Sequence, residues 1–158
     1  MVILFMQYLI IFLISMVPLI ELRGAIPYAI GFKLPLLPSY IICILGNMLP
    51  VPFIFLFARK ILVWGSNKKY IGGFFNWCLK KGEKGGKKLQ EKAGRGLYVA
   101  LFLFVGIPLP GTGAWTGTLA ASLLDMDFKK STLAVMCGVV LAGIIMGLVS
   151  GGVFSFIR

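Results

Sequence analysis

A chain of 158 residues that is 59% hydrophobic and 13% charged is too apolar for a soluble domain, in which about a quarter of the residues carry charge. Several uncharged runs exceed the ~18 residues a helix needs to cross a hydrocarbon core about 30 Å thick, so the composition predicts a multi-pass protein of the cell membrane. The net charge of +11 does not point to nucleic acid: 11 of the 16 Lys and Arg lie between Arg59 and Arg95, flanked by apolar runs and without a base-reading motif.

Residues 2–32 form the first apolar stretch. As one helix it would be about 46 Å long, too long for one upright crossing and too short for two. Pro18, Glu21, Arg23, Gly24 and Pro27 interrupt it where a folded-back segment would turn, which predicts a re-entrant hairpin. The basic flank and small-residue cleavage site of a signal peptide are missing, so the segment is expected to be retained. Residues 34–58 read as a transmembrane helix, kinked near its far end by Pro50 and Pro52.

Residues 59–96 are the basic stretch, expected to be a cytoplasmic loop by the positive-inside rule and to meet anionic lipid headgroups. Within it Ile71, Phe74, Phe75 and Cys78 follow i, i+3, i+4, i+7 spacing, which suits an interfacial amphipathic helix, though Gly72 and Gly73 weaken it. The Gly/Lys-rich run after it lacks the GxxxxGK[ST] spacing of a phosphate-binding loop.

Residues 97–124 repeat the character of the first stretch. Eleven apolar residues, 97–107, give about 16 Å of helix, half the core. "PLPGTG" at 108–113 cannot continue a regular helix, and a second short run follows. Residues 131–157 carry no charge and read as the last transmembrane helix. There Gly143, Gly147 and Gly151 recur every four residues, a packing face within the protomer or in a dimer.

Broken backbone at membrane depth requires surrounding protein or a water-filled cavity, and breaks at matching places in two halves point to a transporter-like site. "VPLIELRGA" at 17–25 aligns with "IPLPGTGAW" at 107–115 at an offset of 90. The expected fold is therefore an all-α integral membrane protein: an inverted repeat of two units, each a re-entrant helical hairpin plus one transmembrane helix. The first repeat spans 1–58 and the second 97–158, with the loop 59–96 between them. This arrangement places 13 basic residues on one side and Lys33 and Arg158 on the other; four plain spanning helices give 12 and 3.

Glu21 and Arg23 are the candidate site residues of the first half. A charge at the bilayer centre costs about 2.5–3.5 kcal/mol, so it faces a cavity or a partner. Two residues apart on a helix they point away from each other, so each needs a partner elsewhere. A carboxyl group taken out of water holds a proton more readily, which suits Glu21 to proton coupling. Arg23 offers a fork for phosphate or carboxylate. The competing reading is a solvated pair beyond a helix end. The second half adds Pro108, Pro110, Gly111, Thr112, Gly113, Trp115 and Thr116 as candidate substrate-binding residues. There a half-helix N-terminus presents partial positive charge and the threonines, with Thr118, present hydroxyls; a packing kink is the alternative.

Cys43, Cys78 and Cys137 have no CxxC spacing, and the chain has no histidine. With no clustered acidic ligands either, no cofactor, metal or catalytic set is expected, and the chain does not read as an enzyme. Asp125, Asp127, Lys129 and Lys130 read as a solvated turn.

"VPLIELRGAIPYAIG" and "GIPLPGTGAWTGTLAASLL", at this separation, resemble the small multi-drug export protein family, which is similar to the larger DedA/VTT superfamily. The resemblance implies two re-entrant loops facing each other from opposite sides, as in a superfamily with members implicated in polyprenyl-phosphate or phospholipid translocation. It also implies that Glu21 stands where the superfamily keeps an acidic residue. DedA proteins carry arginines after the second loop; "GTGAWTGTLAAS" has none, leaving Arg23 as the candidate substitute. The expected function is a small proton-coupled secondary transporter that exports or flips an amphiphilic or phosphate-bearing substrate, drug-like or lipid, between the two loops. The alternative is a non-transporting module for membrane assembly or lipid organisation. Two full crossings can hardly enclose a cavity, so a homodimer in contact with membrane lipids is expected, with no nucleic acid partner.

Overall fold

The computed structural model describes residues 2–18, 20–77, 79–80, 94, 96–109 and 111–156, with backbone only for 153–156. These residues form helices and turns. Most of the Gly/Lys-rich run, together with Cys78 and Pro110, lies outside them.

Helix α1 (Val2–Met16) and α2 (Glu21–Gly31) are about 22 and 16 Å long, each too short to cross a bilayer, and they pack against one another. Between them Pro18 has no N–H to donate, and Glu21 takes a left-handed backbone with φ +52°, which few non-glycine residues adopt. The first stretch is thus broken at 17–20, where Pro18 falls; of the other expected interruptions, Glu21 opens α2 and Arg23, Gly24 and Pro27 lie within it.

Helix α3 (Leu36–Met48) passes into α4 (Pro50–Ser66) through Leu49, whose own backbone is helical and whose N–H reaches Leu45 O at 3.0 Å. Together they make an apolar rod, Leu36–Ser66, of 31 residues. The helix therefore does not end near residue 58. Pro50 sits at the first position of α4, where a missing N–H is tolerated. Arg59 and Lys60 stay helical, because long basic side chains bury their stems and keep their heads polar. The expected amphipathic segment is helical over 72–77. Its Phe75 ring stacks on Gly65 and the Asn76 side chain donates to Ser66 O at 3.2 Å, while Ile71, Phe74 and Trp77 remain exposed.

In the second half α5 (Gly96–Gly106) and α6 (Ala114–Leu123) are again short, and α7 (Phe128–Phe156) is long, with an apolar span Phe128–Gly152. Unlike α1 and α2, α5 and α6 hardly touch: α5 lies along α7 and α6 along α4. The wider break, 107–113 against 17–20, lets the two helices part. In exchange α2 packs on α7, so each half lays its second short helix on the other half's long one.

The turn after α2 and the turn after α6 are the same turn. Phe32 N–H reaches Tyr28 O at 2.9 Å and Leu34 N–H reaches Ala29 O at 3.0 Å; Leu124 to Ala120 and Met126 to Ala121 repeat these distances. Lys33 and Asp125 are the left-handed residues, at φ +57° and +56°, and Leu34 and Met126 are the buried apolar residues that close this helix C-cap. All these pairs stand 92 residues apart, not the 90 that the Pro-Leu alignment suggests, because the second break is three residues longer than the first and α6 is one residue shorter than α2.

Gly143 and Gly147 on α7 face Tyr40 of α3, whose hydroxyl fills the place a Cβ at Gly147 would take; among the described residues no atom lies within 4 Å of where a Cβ at Gly151 would stand. The expected three-glycine face is therefore a two-glycine groove inside the protomer.

Candidate functional site

Four helix ends converge at the two breaks, and each of the charges at 21 and 23 answers one of them. The first N–H groups of a helix have no partner within it, and the helix dipole makes that end partially positive. At α6 the missing partner is Glu21: the Ala114 N–H donates to its Oε2 at 3.1 Å and the Trp115 N–H to its Oε1 at 3.0 Å. The side chain is 3% exposed. Gly113 makes this approach possible. Its φ of +140° suits glycine, and a Cβ there would collide with the Glu21 carboxylate.

Arg23 turns the other way, to the opposite kind of helix end. Its Nη1 donates to Leu109 O at 2.5 Å, and its Nη2 reaches Ile107 O at 3.3 Å, Val105 O at 3.4 Å and Thr112 Oγ1 at 2.9 Å. These carbonyls belong to the C-terminus of α5 and the break after it, the partially negative end. Thr112 Oγ1 in turn lies 2.8 Å from Leu109 O and 3.0 Å from Ile107 O, tying the break to itself. Negative charge thus caps the positive end and positive charge the negative end. Trp115 returns the contact, its indole N–H donating to Met16 O at the C-terminus of α1 at 3.1 Å.

Of the residues singled out in the sequence, Glu21, Arg23, Thr112, Gly113 and Trp115 meet in this clasp. Thr116 Oγ1 only reaches back to Gly113 O at 3.4 Å. Gly111, at φ +81°, shapes the break but faces open space. Pro108 is half-buried in the break, and Pro110 lies outside the described residues. The glycines of α7 serve the contact with Tyr40 instead. Asp125 is not merely a solvated turn residue: it pairs with Arg59 at the far end of α4. The partners of the clasp that the sequence hides are backbone groups 82 to 99 residues away, which no side-chain pattern announces.

The clasp can do two things chemically. A helix N-terminus is an anion site, here filled by the protein's own carboxylate. A charge-assisted hydrogen bond is about twice as strong as a neutral one, so a proton on Glu21 loosens its hold on the Ala114 and Trp115 amides. Arg23 meanwhile holds a two-nitrogen fork directed at oxygen acceptors. Among the described residues no group of three or more His, Cys, Asp or Glu could hold a metal. A cavity of about 540 Å³ opens beside α4 and α6, lined by Phe55, Arg59, Lys60, Trp64, Ser122 and Asp125.

A family model described as "Putative small multi-drug export protein" matches residues 21–145, a stretch that begins at Glu21 and contains both halves of the clasp. No curated protein and no solved structure gives a significant match.

Proposed function

The chain belongs to the small multi-drug export protein family, and from that premise we propose that it is a small secondary membrane transporter whose substrate and coupling proton meet at the clasp. In this reading α1–α2 and α5–α6 are re-entrant pairs, dipping in from opposite faces as an inverted repeat, and the Leu36–Ser66 and Phe128–Gly152 rods cross the membrane. The end of the first rod, from Arg59, and the basic stretch 67–96 after it then lie on the cytoplasmic side.

The observation that carries this is Glu21, a buried carboxylate held across the two breaks by the amides of Ala114 and Trp115. Ionised, it closes the α6 N-terminus. Protonated, it releases those amides, and the anionic head of an amphiphile, a phosphate or a carboxylate, takes its place with Arg23 as second anchor. One proton thereby makes room for one substrate head, which ties the two movements together. The substrate's tail lies along apolar helix faces such as Phe5, Leu9 and Leu13 of α1, which the protein leaves exposed. A second copy of the chain completes the wall around the clasp, since two crossing helices do not surround it.

Transport in proteoliposomes tests the reading. Glu21→Gln keeps the shape and an acceptor oxygen but cannot titrate. It is expected to lower pH-driven transport by about 100-fold while the protein still folds. Undiminished pH-driven transport would remove Glu21 from coupling.

A second reading, a non-transporting assembly or lipid-organising module, draws support from the same bonds: both Glu21 oxygens and both terminal nitrogens of Arg23 are engaged at helix ends, with only Arg23 Nε unpaired among the described residues. It predicts that the unaltered chain moves no amphiphile in proteoliposomes.

A further inference from the structure

Two buried polar side chains near the clasp have no hydrogen-bond partner within the described protein. Asn47 on α3 is 0% exposed with both its amide nitrogen and oxygen unpaired, and the Thr118 hydroxyl on α6 is unpaired at 1% exposure. A buried polar group without a partner costs free energy, and proteins commonly meet that cost with ordered water, which needs two to four polar neighbours.

The helix register shows where such water would run. On α6, Ala114, Thr118 and Ser122 follow one another at intervals of four and share a face. Ala114 holds Glu21, and Ser122 lines the cavity beside α4 while its hydroxyl donates to Phe55 O at 2.8 Å. On the α3–α4 rod, Asn47, Val51, Phe55 and Arg59 follow at the same interval. Phe55 meets Ser122 and Arg59 meets Asp125, so the two helices run in parallel register. One turn back sets Thr118 level with Val51, and one further sets Ala114 level with Asn47. On this register Asn47 lies at the level of Glu21 and Thr118 between it and the Arg59–Asp125 cavity, a stretch of about 12 Å along α6. Hydrogen-bonded oxygens stand about 2.8 Å apart, so about three waters bridge it.

We propose that Asn47 and Thr118 hold a file of buried water that joins Glu21 to the cavity at Arg59 and Asp125. As a proton route to Glu21 it rests on the transport reading; as a hydrated path it does not. The ionisable side chains on the elements packed against α2 are Tyr8 on α1, Tyr40 and Cys43 on α3, and Lys129, Lys130 and Cys137 on α7, with Arg23 and Tyr28 on α2 itself. None is a carboxylate that would compete with Glu21 for a proton delivered this way.

The test reads hydration, not transport. In the full chain reconstituted in bilayers, with Cys43, Cys78 and Cys137 replaced by alanine, a Thr118→Cys variant is exposed to silver ion, a small water-borne thiol reagent. An Ile11→Cys variant, equally buried but among apolar neighbours, serves as the reference. Thr118→Cys is expected to react at least about 100-fold faster than Ile11→Cys, and adding Asn47→Leu to slow it about tenfold or more. Equal rates at positions 118 and 11 would overturn the water file. If Thr118→Cys does not fold, Thr118→Val decides: a lowered melting temperature means water has lost a partner, whereas an unchanged or raised one means the hydroxyl was simply buried dry. Loss of the water file with transport intact, or the reverse, separates this inference from the role of Glu21.

Discussion

The two breaks meet at one place but are made of opposite material. The first, around Glu21 and Arg23, contributes charged side chains; the second, 107–113, contributes mainly backbone, joined by the Thr112 hydroxyl, while the Trp115 indole just after it runs the other way, to Met16 O. Amides of Ala114 and Trp115 receive the carboxylate, and carbonyls of Val105, Ile107 and Leu109 receive the guanidinium. The same division recurs between the long helices, where Tyr40 of the first half enters a groove that Gly143 and Gly147 leave open in the second. What this teaches is that two halves sharing one helix pattern and one turn differ in what they bring: one carries the charged side chains and the other most of the main chain that receives them.

The division breaks most completely at Gly113. Gly113→Ala places a methyl group against the Glu21 carboxylate and forces a backbone conformation that costs about 1–3 kcal/mol before the collision is counted. Loss of the folded protein, seen as loss of a monodisperse peak in detergent, is expected. The long-helix version is milder. Gly147→Ala overpacks against the Tyr40 hydroxyl and should destabilise by about 1–3 kcal/mol. Tyr40→Phe in the same chain should recover most of that, measurable as a restored melting temperature. The exception to the division gives the smallest effect. Asp125 is a second-half side chain paired with Arg59 of the first, but the side chains are 66% and 40% exposed. Asp125→Asn should therefore cost about 0–1 kcal/mol, falling further as salt is added.

The parts of this structure written in residue types could be read from the sequence. Pro18 marks the first break and the Pro/Gly run at 108–113 the second, apolar runs mark the two long rods, and the isolated pair Glu21 and Arg23 marks the clasp. What could not be read is contact between a side chain and distant backbone, because every residue has a carbonyl and nearly every one an amide. The partners of Arg23 are of that kind, as is Met16 O for Trp115. The offset misled for a related reason: the Pro-Leu pair lies within the breaks, whose lengths differ, while the turns that keep the common spacing carry unlike residues, Lys33 and Asp125. The end of the first rod was misplaced because Arg59 reads as a loop charge until its partner on the turn after α6 is known.

The central claim is that Glu21 caps the second half's helix across the breaks, and a distance in the bilayer measures it directly. Solid-state NMR of lipid-embedded protein, with ¹³C at the Glu21 carboxyl and ¹⁵N at the Ala114 and Trp115 amides, should find both nitrogens within about 4 Å of that carbon, as two amide-to-carboxylate hydrogen bonds require. Separations beyond about 6 Å for both would mean that the two halves do not hold each other in this way.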